Sequence, residues 1–593
     1  MKKDNLDNRR ANLNKGCLLM LIPLIVIGNN IGHMYLMSFP EGDFLDRILW
    51  CIENGTNYIF AISFHFNSYS ISGSVFAVIC LFLFWAYHYF DTKNNRHDEE
   101  YGSAKWSTKK DIAPKMAKNY DDNQILTETE RLSLDTRQTK VNNNILVIGS
   151  AGTGKTRFHV KPNIMQLNSN YIVTDPKGSL IKECGKLLSD NGYHIKSFNA
   201  YNFDESMHYN PFVYIKQEED ILSLVNTIIM NTKGEGNQSG EDFWVKAERL
   251  LYTAYIAFIY YELGKDDKTF STLIDMIVAS ETKEDVEDYK NGIDILFEDL
   301  EERIKFDDKN PSHFALRQYK SYKLAAGKTA KSILISCGAR LAPFDITRLR
   351  DITSRDDLDL KDIATEKVAL FLCPSDSDPT FNFMFGILYT QLFQILSFEA
   401  DYNHDNFLPR HCKFILDEFA NIAQIPNFEK TIAVIRSRNI SVTVILQTLA
   451  QLKDLYKDKA EIITGNCSSW LFLGGKEKST LKELSEVIGK ETIDVRTYNE
   501  SRGSQGSYTI NNQKIARDLL SSDEIATMSN TSCLLLIDGI RPFFSNKFPI
   551  EKHKNYKFLS DFNKDNTYYL KKNLKKSLID VADDTKLTLY SEN

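Results

Sequence analysis

The sequence has 593 residues, of which 42% are hydrophobic and 25% are charged, and its formal net charge at pH 7 is −7. Because this length exceeds that of one ordinary hydrophobic core, we expect several structural units. The acidic balance argues against a protein that holds nucleic acid over its whole surface, although it is compatible with a local basic channel.

Two apolar segments near the N-terminus are long enough to cross a membrane. The first covers residues 16–37, and the second covers residues 71–90 and contains no charged residue. About 20 apolar residues span a hydrocarbon core of roughly 30 Å, so both are predicted transmembrane helices in a membrane anchor of residues 1–100. A cleaved signal peptide is the alternative for the first segment. The second span and the lack of a small-residue cleavage site disfavour it.

The distribution of charge predicts how this anchor is oriented. Residues 1–16 and 91–110 each carry five lysines and arginines, whereas residues 38–70 carry one arginine and four acidic residues. Basic residues flank the cytoplasmic ends of membrane spans. We therefore expect a multi-pass protein of the cell membrane, with both termini and the bulk of the chain in the cytoplasm.

Residues 145–156 (ILVIGSAGTGKT) contain a complete phosphate-binding loop (P-loop), G-x-x-x-x-G-K-T, between a predicted strand and a predicted helix. Glycines let the backbone N–H groups of such a loop wrap the phosphates. Lys155 is placed to neutralise the β- and γ-phosphates, and the Thr156 hydroxyl is placed to bind Mg²⁺. The sequence thus predicts a site for ATP and Mg²⁺. Its predicted nucleotide-binding residues are Gly149, Ser150, Ala151, Gly152, Thr153, Gly154, Lys155 and Thr156.

Short apolar segments alternate with helical segments, which predicts an α/β fold with a parallel sheet covered on both faces. The predicted strands are residues 145–148, 171–174, 194–198, 368–373, 414–416, 441–446, 469–473 and 533–537. Nucleotide is then expected beyond the carboxyl ends of the strands. This pattern assigns residues 101–212 and 344–550 to one nucleotide-binding domain. Asp175 follows the second predicted strand, either as an outer partner of the site or as a helix cap.

No strand pattern appears in residues 213–343, so we predict an inserted all-helical domain there. Residues 241–263 and 312–341 have helical patterns. The insert has a marked charge asymmetry. Residues 281–308 hold twelve acidic and four basic residues, whereas residues 309–344 hold seven basic residues and no acidic one.

Two interpretations of the basic segment remain open. It forms a solvated helix that pairs with the acidic segment, or it contributes to a path for DNA, because phosphates are bound mainly by lysine and arginine. The candidate DNA-binding residues are Lys320, Lys323, Lys328 and Lys331.

Residues 413–419 (KFILDEF) predict a strand that ends in two acids, Asp417 and Glu418. A P-loop fold needs a carboxylate at the end of a neighbouring strand to hold Mg²⁺ through water. Asp417 suits that role, and Glu418 suits the polarisation of the attacking water. A surface strand that ends in two acids by chance is the alternative, and the complete P-loop disfavours it.

Residues 432–451 predict a helix end that carries Arg436 and Arg438, then a strand, then Gln447 at its tip. An amide at that tip is placed to sense the γ-phosphate. An arginine between the two strands is placed to reach the nucleotide of a neighbouring subunit as an arginine finger. The alternative is that these arginines pair with local acids. Residues 551–593 are polar and mixed in charge, which is typical of a partly disordered tail that docks substrate proteins and equally of an ordinary terminus.

Six segments together resemble the type IV secretion coupling proteins, of the TraG/TraD kind found in Gram-positive conjugative elements. Their order and spacing agree with that family over about residues 100–210 and 310–550, whereas residues 231–310 show no match. The segments are the two N-terminal spans taken together, YGSAKW (101–106), IGSAGTGKT (148–156), TDPKGSL (174–180), ILDEF (415–419) and IRSRNISVTVILQTLAQL (435–452).

The resemblance implies a RecA-like P-loop ATPase that forms a homo-hexamer anchored by its N-terminus. Such a protein brings single-stranded DNA with its bound relaxase to the channel proteins of a type IV secretion system. The implied site roles are phosphate and Mg²⁺ binding for Lys155 and Thr156, the Walker B pair for Asp417 and Glu418, γ-phosphate sensing for Gln447 and the trans arginine finger for Arg436.

The expected function is therefore ATP-driven conjugative transfer of single-stranded DNA, with the ATPase domain in the cytoplasm. An FtsK-like translocase of double-stranded DNA is disfavoured, because there are only two spans, no long linker and no recognisable winged-helix module. A non-hydrolysing docking platform is disfavoured by the P-loop and the acidic pair. An ATPase that secretes proteins and carries no DNA remains an alternative, because it would use the same ATP-hydrolysing domain.

Overall fold

The structure is a computed structural model that describes residues 2–38, 43–90, 99–232, 241–281, 289–305, 312–324, 327–375, 378–501 and 507–570. The chain divides into two compact units, Met1–Glu100 and Tyr101–Asn593. Each unit has its own fold and is described separately.

The first unit contains the helices α1 (Lys2–Met37), α2 (Phe44–Tyr58) and α3 (Ser68–Phe90). Within α1 and α3, Leu13–Met37 and Ser68–Tyr89 are long and apolar enough to cross a membrane. They include nearly all of the two predicted spans. Helix α2 was not predicted from the sequence.

Small residues allow α1 and α3 to touch closely. A Cβ atom on Gly28 would lie 2.5 Å from the carbonyl oxygen of Gly73, and one on Gly32 would lie 2.2 Å from that of Tyr69. Gly28 and Gly32 are four residues apart, the small-xxx-small spacing that brings membrane helices together. Polar residues of α1 also make hydrogen bonds within this unit. The buried Asn29 donates from its amide nitrogen to the His65 carbonyl at 3.1 Å.

The second unit is built on a nine-stranded sheet. The strands of this unit are β1 (Asn123–Ile125), β2 (Arg131–Ser133), β3 (Ile145–Ile148), β4 (Asn170–Thr174), β5 (His194–Asn199), β6 (Val368–Cys373), β7 (Cys412–Leu416), β8 (Ile440–Leu446), β9 (Ser469–Phe472), β10 (Lys490–Ser501), β11 (Ser507–Asp518), β12 (Ser532–Ile537) and β13 (Ile540–Asn546). The order in the large sheet is β13-β12-β9-β3-β8-β7-β4-β6-β5. Strand β12 is antiparallel to β9 and β13, and the other neighbours are parallel.

All eight predicted strands are present in this sheet, with bounds within two residues of the expected ones. The central strands β3, β7 and β8 are buried along their whole length. Strands covered on both faces read as continuous apolar runs, which explains why the sequence revealed them. The α/β fold with a parallel sheet is confirmed.

Helices and the segment of residues 551–570 cover the two faces of the sheet. The α-helices of the described part of this unit are α4 (Lys109–Ile112), α5 (Thr136–Thr139), α6 (Lys161–Met165), α7 (Ser179–Asp190), α8 (Glu218–Asn231), α9 (Glu241–Glu262), α10 (Phe270–Ala279), α11 (Gly292–Lys305), α12 (Phe314–Lys323), α13 (Gly327–Arg340), α14 (Thr347–Ile352), α15 (Asn382–Phe398), α16 (Phe428–Val434), α17 (Leu449–Tyr456), α18 (Ala460–Gly465), α19 (Lys478–Ile488) and α20 (Ser522–Ala526).

Helices α8 to α14 lie between β5 and β6 in the chain, and the described residues of this segment contain no strand. They share one hydrophobic core with a face of the sheet. Helix α15 belongs to the same core, where Phe393 stacks on Phe414 of β7 with ring centroids 4.2 Å apart. The stretch Pro379–Asn403, which includes α15, is apolar enough to cross a membrane, but its most apolar window is 72% buried within the protein. It is a core helix.

Residues 551–570 pack onto the opposite face of the sheet. Leu559 is fully buried, and the Tyr568 ring covers α7 so closely that a Cβ on Gly185 would lie 2.7 Å from it. Lys161 of α6 donates to Asp561 at 2.7 Å. These residues of the predicted tail are therefore folded, because a few widely spaced apolar side chains anchor an otherwise polar segment. Residues 571–593 lie outside the described residues.

Candidate nucleotide-binding site

The P-loop leaves β3 at the centre of the sheet and is held from both sides. The Gly149 N–H donates to the Leu446 carbonyl of β8 at 3.1 Å, and the Ser150 N–H donates to the Gly474 carbonyl beyond β9 at 2.9 Å. Gly152 has a φ of +80°, in the left-handed region that glycine adopts at least cost. The loop is thus fixed at its start and turns at a position where glycine is favoured.

The structure brings the P-loop and the predicted acidic pair together. The Thr156 hydroxyl donates to a carboxylate oxygen of Asp417 at 3.2 Å, although the two residues are 261 positions apart in the chain. Asp417 follows β7, which is separated from β3 only by β8. The Lys155 ammonium turns back onto the loop and donates to the Gly149 carbonyl at 2.8 Å.

Burial dominates the electrostatics of this site. It lowers the pKa of Lys155, against the opposing effect of the Asp417 and Glu418 charges, and the charge of Lys177 lowers that pKa further. Burial raises the pKa of Asp417, against the opposing effect of Lys155. A pocket that holds both a buried ammonium and a buried carboxyl is suited to a ligand that brings phosphates and a divalent cation together.

Glu418 has an unusual backbone conformation. Its φ of 51° and ψ of 46° place it in the left-handed helical region. A side chain with a Cβ atom is disfavoured there by roughly 1–2 kcal/mol. Its carboxylate accepts a hydrogen bond from the Asn421 amide at 2.8 Å. Strain of this kind is found at functional sites that the surrounding structure holds in place.

Gln447 directly follows β8, so it lies between the ends of β3 and β7. Its backbone N–H donates to the side chain of Gln451 at 3.1 Å, which fixes the turn into α17. This places the residue at the strand tip that the sequence predicted.

The two candidate finger arginines have different surroundings. Arg438 makes two hydrogen bonds of 2.7 Å with the Asp401 carboxylate, so it pairs with a local acid. Arg436 is exposed and donates to the backbone carbonyl of Thr136 at 3.2 Å.

The candidate DNA-binding lysines are only partly described. Lys320 pairs with Glu301 at 2.7 Å, and Lys323 pairs with Asp294 at 2.8 Å, so both bind the acidic helix α11. These ion pairs favour the first interpretation of the basic segment for these two residues. Lys331 is exposed on α13, and the side chain of Lys328 lies outside the described residues.

Asp175 is a helix cap. Its carboxylate accepts from the Ser179 N–H at 3.1 Å and from the Ile181 N–H at 3.2 Å, at the start of α7. Burial raises its pKa to about 6. Of the two roles that the sequence left open, the structure shows the cap.

Sequence reasoning missed Lys413, on the strand that carries Asp417. Its ammonium is fully buried and donates to Gln124 of β1 at 3.0 Å and to Asn163 of α6 at 3.5 Å. Burial lowers the pKa of Lys413 to about 7. The residue joins the strand of the acidic pair to the helix that follows the P-loop. A lone lysine before an apolar run gives no signal of that role.

Comparisons with known proteins point to one family and one fold. A family model described as Type IV secretory system Conjugative DNA transfer matches residues 95–575. Protein VirD4 of Rhizobium radiobacter is 22% identical over 409 residues, which are 67% of this chain and 55% of that protein. The chain thus spans little more than half the length of this relative.

Two solved structures of the plasmid coupling protein TrwB share the fold. The complex with the ATP analogue ADPNP has a TM-score of 0.52 at 14% identity, covering 77% of this chain and 96% of that chain. The complex with ADP and Mg²⁺ has a TM-score of 0.51 at 15% identity, covering 76% and 97%. At such identities the likeness shows the fold alone, and it confirms the RecA-like fold class predicted from the sequence.

Proposed function

The chain belongs to the Type IV secretory system Conjugative DNA transfer family, and we propose that it is a membrane-anchored ATPase coupling protein. It recruits a relaxase with its single-stranded DNA to the proteins of a type IV secretion channel and drives conjugative transfer. The observation that carries the proposal is the 3.2 Å contact between Thr156 of the P-loop and Asp417 at the end of β7. A P-loop with an acid beside it is the arrangement used for phosphoryl transfer from ATP.

The residues present fit ATP and Mg²⁺. Thr156 and Asp417 offer neighbouring hydroxyl and carboxylate oxygens, the hard ligands that Mg²⁺ prefers, and Mg²⁺ when bound neutralises charge on the β- and γ-phosphates. Lys155 leaves the Gly149 carbonyl to bind those phosphates. Glu418 accepts a proton from the attacking water, and Gln447 senses the γ-phosphate. The TrwB complexes with ADPNP and with ADP and Mg²⁺ support ATP and Mg²⁺ as the ligands.

We further propose that the protein works as a homo-hexamer in which Arg436 acts on the nucleotide of the neighbouring subunit. Arg436 is exposed, whereas Arg438 is occupied by Asp401, which supports Arg436 as the finger. An arginine supplied in trans accelerates hydrolysis by about 10³–10⁵-fold where it has been measured. In the proposed topology, both termini and the ATPase unit lie in the cytoplasm, as the basic flanks of the two spans indicate.

Crosslinking during conjugation tests this function. Donor cells that carry the chain should give protein–DNA crosslinks containing the transferred strand, and only when the relaxase is present. Deletion of the gene should abolish transfer. Crosslinks to double-stranded chromosomal DNA would indicate a translocase of another kind, and unchanged transfer after deletion would contradict the proposal.

The four lysines lead to a narrower prediction about DNA. Because Lys320 and Lys323 are held by acids, replacing both by glutamine should leave the salt dependence of single-stranded DNA binding unchanged. If the basic segment contributes to a path for DNA, replacing all four lysines by glutamine should lower the slope of log K against log salt, by about 0.7 for each phosphate that is no longer neutralised. Fluorescence anisotropy of a labelled oligonucleotide at several salt concentrations measures both slopes. Equal changes of slope in the two variants would indicate that DNA binding depends on the overall charge of the protein and not on a defined path.

A further inference from the structure

A lysine at the edge strand of the sheet contacts the P-loop from the side opposite Asp417. Strand β13 is antiparallel to β12, which is antiparallel to β9, so β13 runs in the same direction as β3. Its carboxyl end therefore lies at the nucleotide edge of the sheet, and Lys547 follows it directly. The backbone N–H of Lys547 donates to the Thr531 carbonyl at 2.8 Å, which fixes its position.

The side chain of Lys547 is directed at the P-loop. Lys547 is only 5% exposed, and its ammonium donates to the Thr153 carbonyl of the loop at 3.1 Å. The same ammonium lies 5.4 Å from the ring centroid of Phe158, just beyond the loop. The following segment adds a second contact, an ion pair between Glu551 and Arg157.

No carboxylate among the described residues pairs with the Lys547 ammonium. Burial lowers the pKa of this lysine, and the opposing effect comes from the Cys533 thiol instead of a carboxylate. A buried charge is costly unless it is paired with an opposite charge. The Lys547 ammonium, which is hydrogen-bonded to a carbonyl oxygen beside the phosphate-binding loop, is therefore available to stabilise a phosphate anion.

The position of Lys547 indicates on which side of the loop it acts. Thr156 and Asp417 define the Mg²⁺ and γ-phosphate side, towards β8 and β7. Lys547 approaches the loop from the opposite side, that of β9, β12 and β13. On the basis of the proposed function, we propose that Lys547 is a positioning residue: it holds Thr153 in the phosphate-binding loop and supplies positive charge beside that loop for a nucleoside di- or triphosphate.

The test uses the full-length protein in detergent, with mant-ADP and mant-ATP as fluorescent probes. Lys547→Met should weaken binding of both probes about 10-fold, the worth of one charge-assisted hydrogen bond, because both probes place phosphates in this loop. The KM for ATP should rise by a similar factor while kcat stays within about threefold. Lys547→Arg keeps the charge and should restore most of the affinity.

Lys552→Met is the matched control, because Lys552 lies in the same segment but pairs with Glu128. It should bind both probes as the wild type does. Unchanged affinity in Lys547→Met, with only a lower melting temperature of the nucleotide-free protein, would overturn the inference. A loss of kcat at constant KM would do the same. A wild-type protein that binds neither probe would instead contradict the proposed function itself.

Discussion

Replacement of Lys155 by alanine is expected to lower the rate of ATP hydrolysis by about 100-fold or more while the protein stays folded and in the membrane. Lys155 is the cation placed on the β- and γ-phosphates, and removing one preorganised charge-stabilising group typically costs about 10²–10³-fold in rate. Within the described part of the chain, its ammonium donates to the Gly149 carbonyl and forms no ion pair. The buried Asp417 loses a nearby positive charge, but burial already raises the pKa of that carboxyl, so it can bind a proton in compensation. The melting temperature should therefore remain close to that of the wild type.

Phosphate release by the full-length protein in detergent, at saturating Mg²⁺ and ATP, measures the Lys155→Ala effect. Lys182→Ala is the control, because Lys182 is a half-exposed lysine of α7 whose partner is Glu205. The control should hydrolyse ATP at the wild-type rate. Retained turnover in Lys155→Ala would refute the site assignment, whatever the result with Lys547.

The parts of the fold that could be predicted are those in which burial itself leaves a pattern. Strand β6 is six consecutive buried apolar residues, and its bounds were predicted correctly. The hairpin of β10 and β11 was missed, because its strands are rich in Thr, Asn and charged residues. Its register, Lys490 opposite Asp518 through Ser501 opposite Ser507, depends on cross-strand pairing that no local pattern reveals.

The residues of the site likewise divide into those that the sequence predicts and those that it does not. Lys155, Thr156 and Asp417 were found because their spacing within a strand–loop–helix unit or at a strand end has a chemical reason. Lys413 and Lys547 could not be found, because each is a single lysine whose role depends on partners far away in the chain, Gln124 in one case and Thr153 in the other. A charge in a sequence says nothing about where its partner lies.

Substitutions of Glu418 are expected to give the second large effect, a loss of ATP hydrolysis without a loss of nucleotide binding or of stability. Glu418→Gln keeps the shape of the side chain but cannot accept a proton, so hydrolysis should fall by about 10²–10⁴-fold. Nucleotide binding should persist, because Lys155 and Thr156 are untouched. Measurements of mant-ATP affinity and of phosphate release on one preparation distinguish nucleotide binding from hydrolysis. Wild-type turnover in this variant would show that Glu418 does not polarise the water.

Glu418→Gly should also lose hydrolysis but should make the protein more stable. Glycine adopts the left-handed conformation at φ 51° without a Cβ penalty, which we expect to stabilise the fold by about 0.5–1 kcal/mol. Lys140→Gly is the matched control, since Lys140 has a φ of 60° at the end of α5. It should gain similar stability and keep full activity. A less stable Glu418→Gly protein would mean that the hydrogen bond with Asn421 outweighs the strain; a more stable one would mean that a strained backbone is kept at this position for the carboxylate it presents.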